Sequence, residues 1–235
     1  MRILLLGGTA EARELAIELS KHPVQATLSL AGLTHAAPGA LPTRSGGFGG
    51  VEGLRNYLEA ERITHVIDAT HPFAEQMSRH AAVACAQTGV QLLRLIRPAW
   101  PTRPNWLNVA NIPEAAATLP PNARAFLSVG AQSLGAFAQR TDLWCLTRSI
   151  EPPLRALPGV TILARPPFTL DGELALMREH AITHLVTKNA GGNQTAAKLD
   201  AAAQLGIAVV MVARPVLAEA PEYPSPAALL KALFP

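Results

Sequence analysis

The sequence predicts an α/β protein built from two parallel-sheet halves with a cleft between them. Three observations predict it. Short apolar blocks of strand length alternate with stretches of helical spacing along nearly the whole chain, the pattern of parallel sheets covered by helices on both faces. The alternation breaks once, where Pro98, Pro101, Pro104 and Pro113 crowd together with Trp100 and Trp106, which reads as a boundary or crossover segment. The length of 235 residues allows one to two domains at about 150 residues each. The predicted domains are therefore 1–98 and 99–235.

In the first half, Arg2 to Leu6 is a buried strand and Ala10 to Ser20 a helix on the spacing of Leu15, Ile17 and Leu19. Val24 to Leu30 is a second strand. The Gly/Pro-rich stretch from Gly32 to Gly50 carries at most one short strand. Val51 to Glu61 is a helix, Thr64 to Ala69 a strand, Pro72 to Thr88 a helix and Gln91 to Ile96 a strand. Pro72 suits a helix start, where a missing N–H costs nothing. In the second half, strands are predicted at Ala125 to Val129, Leu143 to Thr147, Val160 to Leu163, His184 to Thr187 and Ala208 to Val212. Helices are predicted at Gln132 to Arg140, Leu170 to His180 and Asn193 to Leu205. An internal echo links the halves: Ile63-Thr64-His65-Val66 before Asp68, and Ile182-Thr183-His184-Leu185 before Thr187. Both copies run into loops at strand carboxyl ends, where open α/β sheets bind ligands.

Composition narrows the function. A hydrophobic share of 49% against 16% charged residues excludes a disordered chain. No apolar run approaches the roughly 18 residues of a membrane span, and Ile3 to Leu6 is too short for the core of a signal peptide. Cys85 and Cys145 make neither a CxxC nor a metal spacing, and read as small buried residues. A cytoplasmic protein without membrane attachment or bound metal is expected. Of 20 basic residues 16 are Arg, yet no basic run or aromatic interleaving suggests nucleic acid. Forked guanidinium groups suit a small anionic ligand instead.

The strongest local signal is Gly7-Gly8-Thr9-Ala10-Glu11, a strand that ends in two glycines as a helix begins. Such a turn lets backbone N–H groups and the helix dipole meet a phosphate, which makes the halves Rossmann-like and the first the cofactor domain. It is not GxGxxG, since Leu6 and Glu11 stand where glycine would fall. No Asp or Glu lies between Glu18 and Glu52, so the acid that grips an NAD ribose is missing, while Ser29, His35, Arg44 and Ser45 are present. That combination predicts NADPH. Gly46-Gly47-Phe48-Gly49-Gly50 is a second backbone cradle, for the cofactor or for an anionic substrate edge. Asp68, Ala69, Thr70 and His71 converge at a strand end, with His71 a candidate proton donor. Lys188 and Asn189 occupy the matching loop of the second half, before Gly191-Gly192; Lys188 is a candidate for holding an anion or giving a proton. Arg94 and Arg97, near Trp100, suit a flat carboxylated ligand. YxxxK, GxSxG and Walker motifs are absent from the sequence.

These residues resemble the precorrin-6A reductases of cobalamin biosynthesis. The resemblance rests on Gly7 to Ala12, Gly46 to Gly50, Asp68 to Ala74, Arg94 with Arg97 to Trp100, Thr187 to Gly192, and Val209 to Pro215, in family order over nearly the whole chain. Ala190 departs from the family's more usual serine, which weakens any hydroxyl role there. The resemblance implies NADPH-dependent reduction of one ring double bond in precorrin-6A or its cobalt form, giving precorrin-6B. Hydride goes to one carbon and a proton, from His71, Lys188 or water, to its neighbour. It implies cofactor contacts at Gly7, Gly8, Thr9, Glu11, Arg44, Asp68, Ala69 and Thr70. Substrate contacts would fall at Gly47, Phe48, Gly49, Arg94, Arg97, Lys188 and Asn189. The expected partners are the tetrapyrrole and the neighbouring enzymes of the pathway. Two other readings stay open: a cofactor-free tetrapyrrole-modifying enzyme, and an NADP-responsive binding protein without turnover.

Overall fold

The computed structural model describes residues 1–31 and 40–235; His35 and the start of the Gly/Pro-rich stretch lie outside the described residues. Two compact units divide the chain, Met1–Pro98 with Pro215–Pro235, and Ala99–Arg214. The first begins with β1 (Arg2–Leu6), α1 (Ala10–Leu19), β2 (Gln25–Leu30), β3 (Thr43–Ser45), α2 (Gly50–Ala60), β4 (His65–Asp68), α3 (Glu75–Thr88) and β5 (Gln91–Leu95). The second holds β6 (Trp106–Val109), α4 (Ile112–Thr118), β7 (Arg124–Ser128), a 3₁₀ run (Ala131–Phe137), β8 (Trp144–Ser149), β9 (Gly159–Leu163), α5 (Leu170–Glu179), β10 (His184–Lys188), α6 (Ala197–Gln204) and β11 (Ala208–Val212). The chain then returns to the first unit with β12 (Glu222–Tyr223) and α7 (Pro226–Leu233).

Each unit has one six-stranded sheet, in order β12-β5-β4-β1-β2-β3 and β6-β11-β10-β7-β8-β9, and every pairing is parallel. Parallel strands need a covering layer on both faces, and β1 shows how its apolar run meets that need. Ile3 and Leu5 join one core with Leu15 and Leu19 of α1 and Leu229 and Leu233 of α7. Leu4 and Leu6 join the opposite core with Leu54 and Leu58 of α2 and Ala81 and Ala84 of α3. In the second unit Phe126, Leu146, Leu185 and Val209 pack under Leu174 and Met177 of α5 and Leu199 of α6.

The internal echo is structural. Thr64 and Thr183 immediately precede β4 and β10, the strands that pair with β1 and β7. Each threonine hydroxyl accepts from the first N–H of the neighbouring strand, Arg2 at 3.0 Å and Arg124 at 3.1 Å. Each also meets the following histidine, His65 or His184, at 2.8 Å. The residues ahead of the echo, Arg62 and Ala181, both carry left-handed backbone, φ 50° and 47°.

Several expectations are corrected. Residues 215–235 do not complete the second domain. Glu222 pairs with Arg94 on β5, and Leu229 and Leu233 fill the first core, so the tail belongs to the first unit. The proline-rich segment hides β6 and α4, because Pro113 stands in the first turn of α4 behind the Asn111 cap. α3 begins at Glu75 rather than Pro72, since a turn closed by the Ala74 N–H on the His71 carbonyl comes first. The helix expected over Gln132 to Arg140 is the 3₁₀ run, and α6 starts at Ala197 rather than Asn193. Among the described residues no helix is long and apolar enough to cross a membrane.

Burial pushes the pKa of both echo histidines below the ordinary value. The unfolded chain then binds more protons than the folded one. This stabilisation is fully present above about pH 6.5 and is lost as pH falls through the lowered folded values. Unfolding free energy followed from about pH 7.5 to 5.5 is expected to decline, and the decline to flatten in the His65→Gln, His184→Gln double variant.

Candidate functional site

In the first unit the strand order reverses between β1 and β4, and the turn after β1 lies at that reversal. The Gly7 N–H donates to the Ser29 carbonyl at 2.9 Å, and a Cβ there would meet Leu28 Cδ1 at 2.7 Å. Gly8 has φ +122°, and among the described residues a Cβ on it would meet nothing within 4 Å, which leaves its backbone open to approach from them. Thr9 caps α1: its hydroxyl accepts from the Ala12 N–H at 3.0 Å and donates to the Ala69 carbonyl at 2.9 Å. The first N–H groups of α1 have no intrahelical acceptors and carry the positive end of the helix dipole. Glu11 sits in that first turn but is paired with Arg97 at 2.8 Å, which offsets its repulsion of an anion.

Ser29 ties this turn to Arg44. The Arg44 Nη1 donates to the Ser29 hydroxyl at 2.7 Å and to the Gly46 carbonyl at 3.0 Å, and Nη2 donates to the Gly47 carbonyl at 3.0 Å. The guanidinium lies over the Phe48 ring at 3.8 Å, with Tyr57 behind it at 5.4 Å. Burial foremost, and Glu61, push the Tyr57 hydroxyl pKa up, which keeps it neutral. The glycine cradle depends on a residue the sequence reading missed: a Cβ on Gly53 would overlap the Phe48 carbonyl. Arg44, Gly47, Phe48, Gly49 and the Gly7–Thr9 turn thus form one constellation.

The Asp68 group is arranged differently from the expectation. Asp68 is 2% exposed, and its Oδ1 accepts from the Thr70 N–H at 3.2 Å and the Thr70 hydroxyl at 2.7 Å. Arg94 is equally buried, with Nε 3.7 Å from Asp68 Oδ2, and donates to Glu222 at 2.8 Å and to the Ala218 carbonyl at 3.1 Å. Arg94 therefore anchors the returning tail to β5 rather than presenting itself to a ligand. Asp68 and Ala69 shape the strand end from beneath. His71 is exposed, and its Nδ1 accepts from the Phe73 N–H at 3.2 Å, so in the neutral ring the proton rides on Nε2.

In the second unit Lys188 stands where the echo puts Ala69 in the first, at the carboxyl end of β10. It is half-buried, and burial lowers its pKa. Asn189 is engaged within the unit: its Oδ1 accepts from the Trp100 N–H at 2.9 Å and its Nδ2 donates to the Trp100 carbonyl at 3.4 Å. The Trp100 indole donates to the Gly192 carbonyl at 2.9 Å. Arg214, unassigned in the sequence reading, donates to the carbonyls of Asn189 and Ala190. The turn after β7 holds Gly130 at φ +83°, the counterpart of Gly8, but a 3₁₀ run follows it. Arg148, at the end of β8, is spent on a buried pair with Glu173 at 2.6 Å and stacks on Phe168 at 3.7 Å.

Residues 2–233 match the family described as precorrin-6x reductase CbiJ/CobK. A precorrin-6A reductase of Rhodococcus erythropolis is 49% identical over 230 residues, covering 94% of this chain and 92% of that protein. A precorrin-6A reductase of Rhodobacter capsulatus is 47% identical, covering 92% and 89%. A cobalt-precorrin-6A reductase of Priestia megaterium is 29% identical, covering 91% and 90%. A solved structure of a CobK precorrin-6A reductase superposes with a TM-score of 0.90 at 43% identity, covering 99% of this chain and 95% of that one. With residues 2–233 matched by the family and the fold shared with a solved member, the chain belongs to the precorrin-6x reductase family.

Proposed function

We propose that this protein reduces one ring double bond of precorrin-6A, with NADPH as the hydride source. The observation that carries the reading is the helix-capped glycine turn at the reversal of an all-parallel sheet, with Arg44 tied beside it through Ser29, in a chain of this family. A reductase of this kind draws on a nicotinamide cofactor, which when bound supplies a hydride. Gly7, Gly8 and Thr9 fit its pyrophosphate, because the backbone is open there and the amides of α1 face outward. Arg44 fits a 2′-phosphate: its guanidinium is already flattened on Phe48 and held by three oxygens, so little freedom is lost on binding. Gly47, Phe48 and Gly49 continue that wall.

The chain's other residues serve the macrocycle. Lys188, whose burial eases loss of its proton, attracts a substrate carboxylate and is a candidate proton source. His71 carries a proton at Nε2 and is the second candidate donor. Arg97 reaches the substrate side only by leaving Glu11. Asp68, Arg94 and Asn189 act by holding their neighbours. A second reading places the dinucleotide on the second unit, favoured by Gly130 at the position equivalent to Gly8.

Arg44→Ala is expected to narrow the preference for NADPH over NADH by about tenfold or more, the scale of a charge-assisted bidentate contact. Nicotinamide fluorescence titration reads this, and an unchanged ratio rejects the role. In the same titration Gly8→Val should abolish NADPH binding and Gly130→Val should not; the reverse result selects the second reading. Lys188→Ala is expected to raise KM for precorrin-6A by about tenfold or more while leaving NADPH affinity near wild type, a loss of the size expected for one hydrogen bond to a charged group. Equal weakening of both ligands would remove Lys188 from the substrate side.

A further inference from the structure

We propose that Arg214 is a positioning residue for the reduction, holding the Lys188–Gly192 loop in its working conformation with Trp100 as the opposing clamp. The inference rests on the reading of Lys188 as a substrate-facing group. Arg214 follows the end of β11, and its Nε donates to the Asn189 carbonyl at 2.9 Å and its Nη2 to the Ala190 carbonyl at 3.2 Å. Trp100 grips the same loop at the Asn189 side chain and at the Gly192 carbonyl. The Asn189 N–H also donates to the Val212 carbonyl at 2.9 Å, which ties the start of the loop to β11. Gly191 and Gly192 both carry left-handed backbone, φ 69° and 78°, with no side chain to pack. The Ala190 N–H folds back on the Lys188 carbonyl at 2.7 Å, so the tight turn begins at the lysine itself.

Beyond Lys188, Arg214 and Trp100 take the carbonyls of Asn189, Ala190 and Gly192. Those bonds set the path of the chain as it leaves β10, and with it the direction in which Lys188 is offered. A guanidinium fork spans two adjacent carbonyls at once; a lysine ammonium is a point donor and does not. Lys198 over the Trp100 ring at 5.2 Å and Arg103 paired with Asp200 at 2.6 Å hold the Trp100 segment on α6, so the clamp is itself anchored.

The test is steady-state kinetics of the full chain with precorrin-6A and NADPH, for Arg214→Gln, Arg214→Lys, Trp100→Phe, Lys188→Ala and the Arg214→Gln, Lys188→Ala double variant. Arg214→Gln is expected to lower kcat/KM for precorrin-6A by up to about 10²-fold, the scale of a small misplacement near the reacting centre. Arg214→Lys should recover little of it, and NADPH affinity and melting temperature should hold. The alkaline limb of the kcat/KM profile should move to higher pH, because a released Lys188 regains solvent and its ordinary basicity. The double variant should be no worse than Lys188→Ala. Trp100→Phe removes the indole hydrogen bond while keeping an aromatic ring and the backbone bonds to Asn189, and should show a smaller loss in the same direction, which keeps the test open if Arg214→Gln fails to fold. Wild-type kcat/KM in Arg214→Gln or in Trp100→Phe, or losses that multiply in the double variant, would overturn the positioning role. Full activity in Lys188→Ala would overturn the reading of Lys188 separately, whatever Arg214→Gln does.

Discussion

Parallel pairing is the constraint on which the rest of this structure depends. A parallel strand cannot be followed by a tight hairpin, so consecutive parallel strands need a longer crossover connection. Every strand then ends at the same edge. Where the order reverses, at β1 and β4 in the first unit and β7 and β10 in the second, the crossovers leave in opposite directions and the strand ends lie open. The Gly7–Thr9 turn and the Lys188 loop stand at those two points. The opening in the first unit is stitched by three bonds: Gly7 N–H to Ser29, Ala69 N–H to Leu6, and the Thr9 hydroxyl to Ala69. They satisfy backbone groups that burial would otherwise leave costly.

The buried charges lie near the same edges. Buried Asp68 and Arg94, with the exposed Glu222, join β4, β5 and β12; buried Arg148 and Glu173 join β8 to α5. Each set is expensive to desolvate and is not fully satisfied: among the described residues Arg94 Nε, Arg148 Nη2 and Glu173 Oε2 have no hydrogen-bond partner. Such pairs hold geometry more than they add stability, and here they fix where strand ends lie. They also change the meaning of the arginine excess. Arg140 donates to the carbonyls of Ala116, Leu119 and Pro120, Arg214 to two loop carbonyls and Arg124 to that of His180. Much of the arginine complement ties the chain to itself.

Most of the strands and helices were legible because each obeys a local rule. β1 is an unbroken apolar run, α1 and α5 have threonine caps, and the Thr-His echo marks equivalent strands. The failures came where a local signal has two meanings. Proline clustering suggested a linker, yet Pro113 is an ordinary first-turn residue of α4. Pro72 suggested a helix start, yet it lies in the turn before one. The two-residue β12 carries no periodicity at all, and only its pairing with β5 makes it a strand.

The candidate site divides along the same line. The sequence by itself determined the glycine turns, the missing acid after β2, the family blocks and the residue types at strand ends, because these depend on neighbours in the chain. Only the tertiary structure decided what those side chains are tied to. Asp68, Arg94 and Asn189 are polar residues at the right strand ends, but each is occupied by a partner 2 to 128 positions away. Arg44 is fixed by Ser29 and Phe48, and the loop after Lys188 by Arg214 and Trp100, contacts that no spacing along the chain encodes.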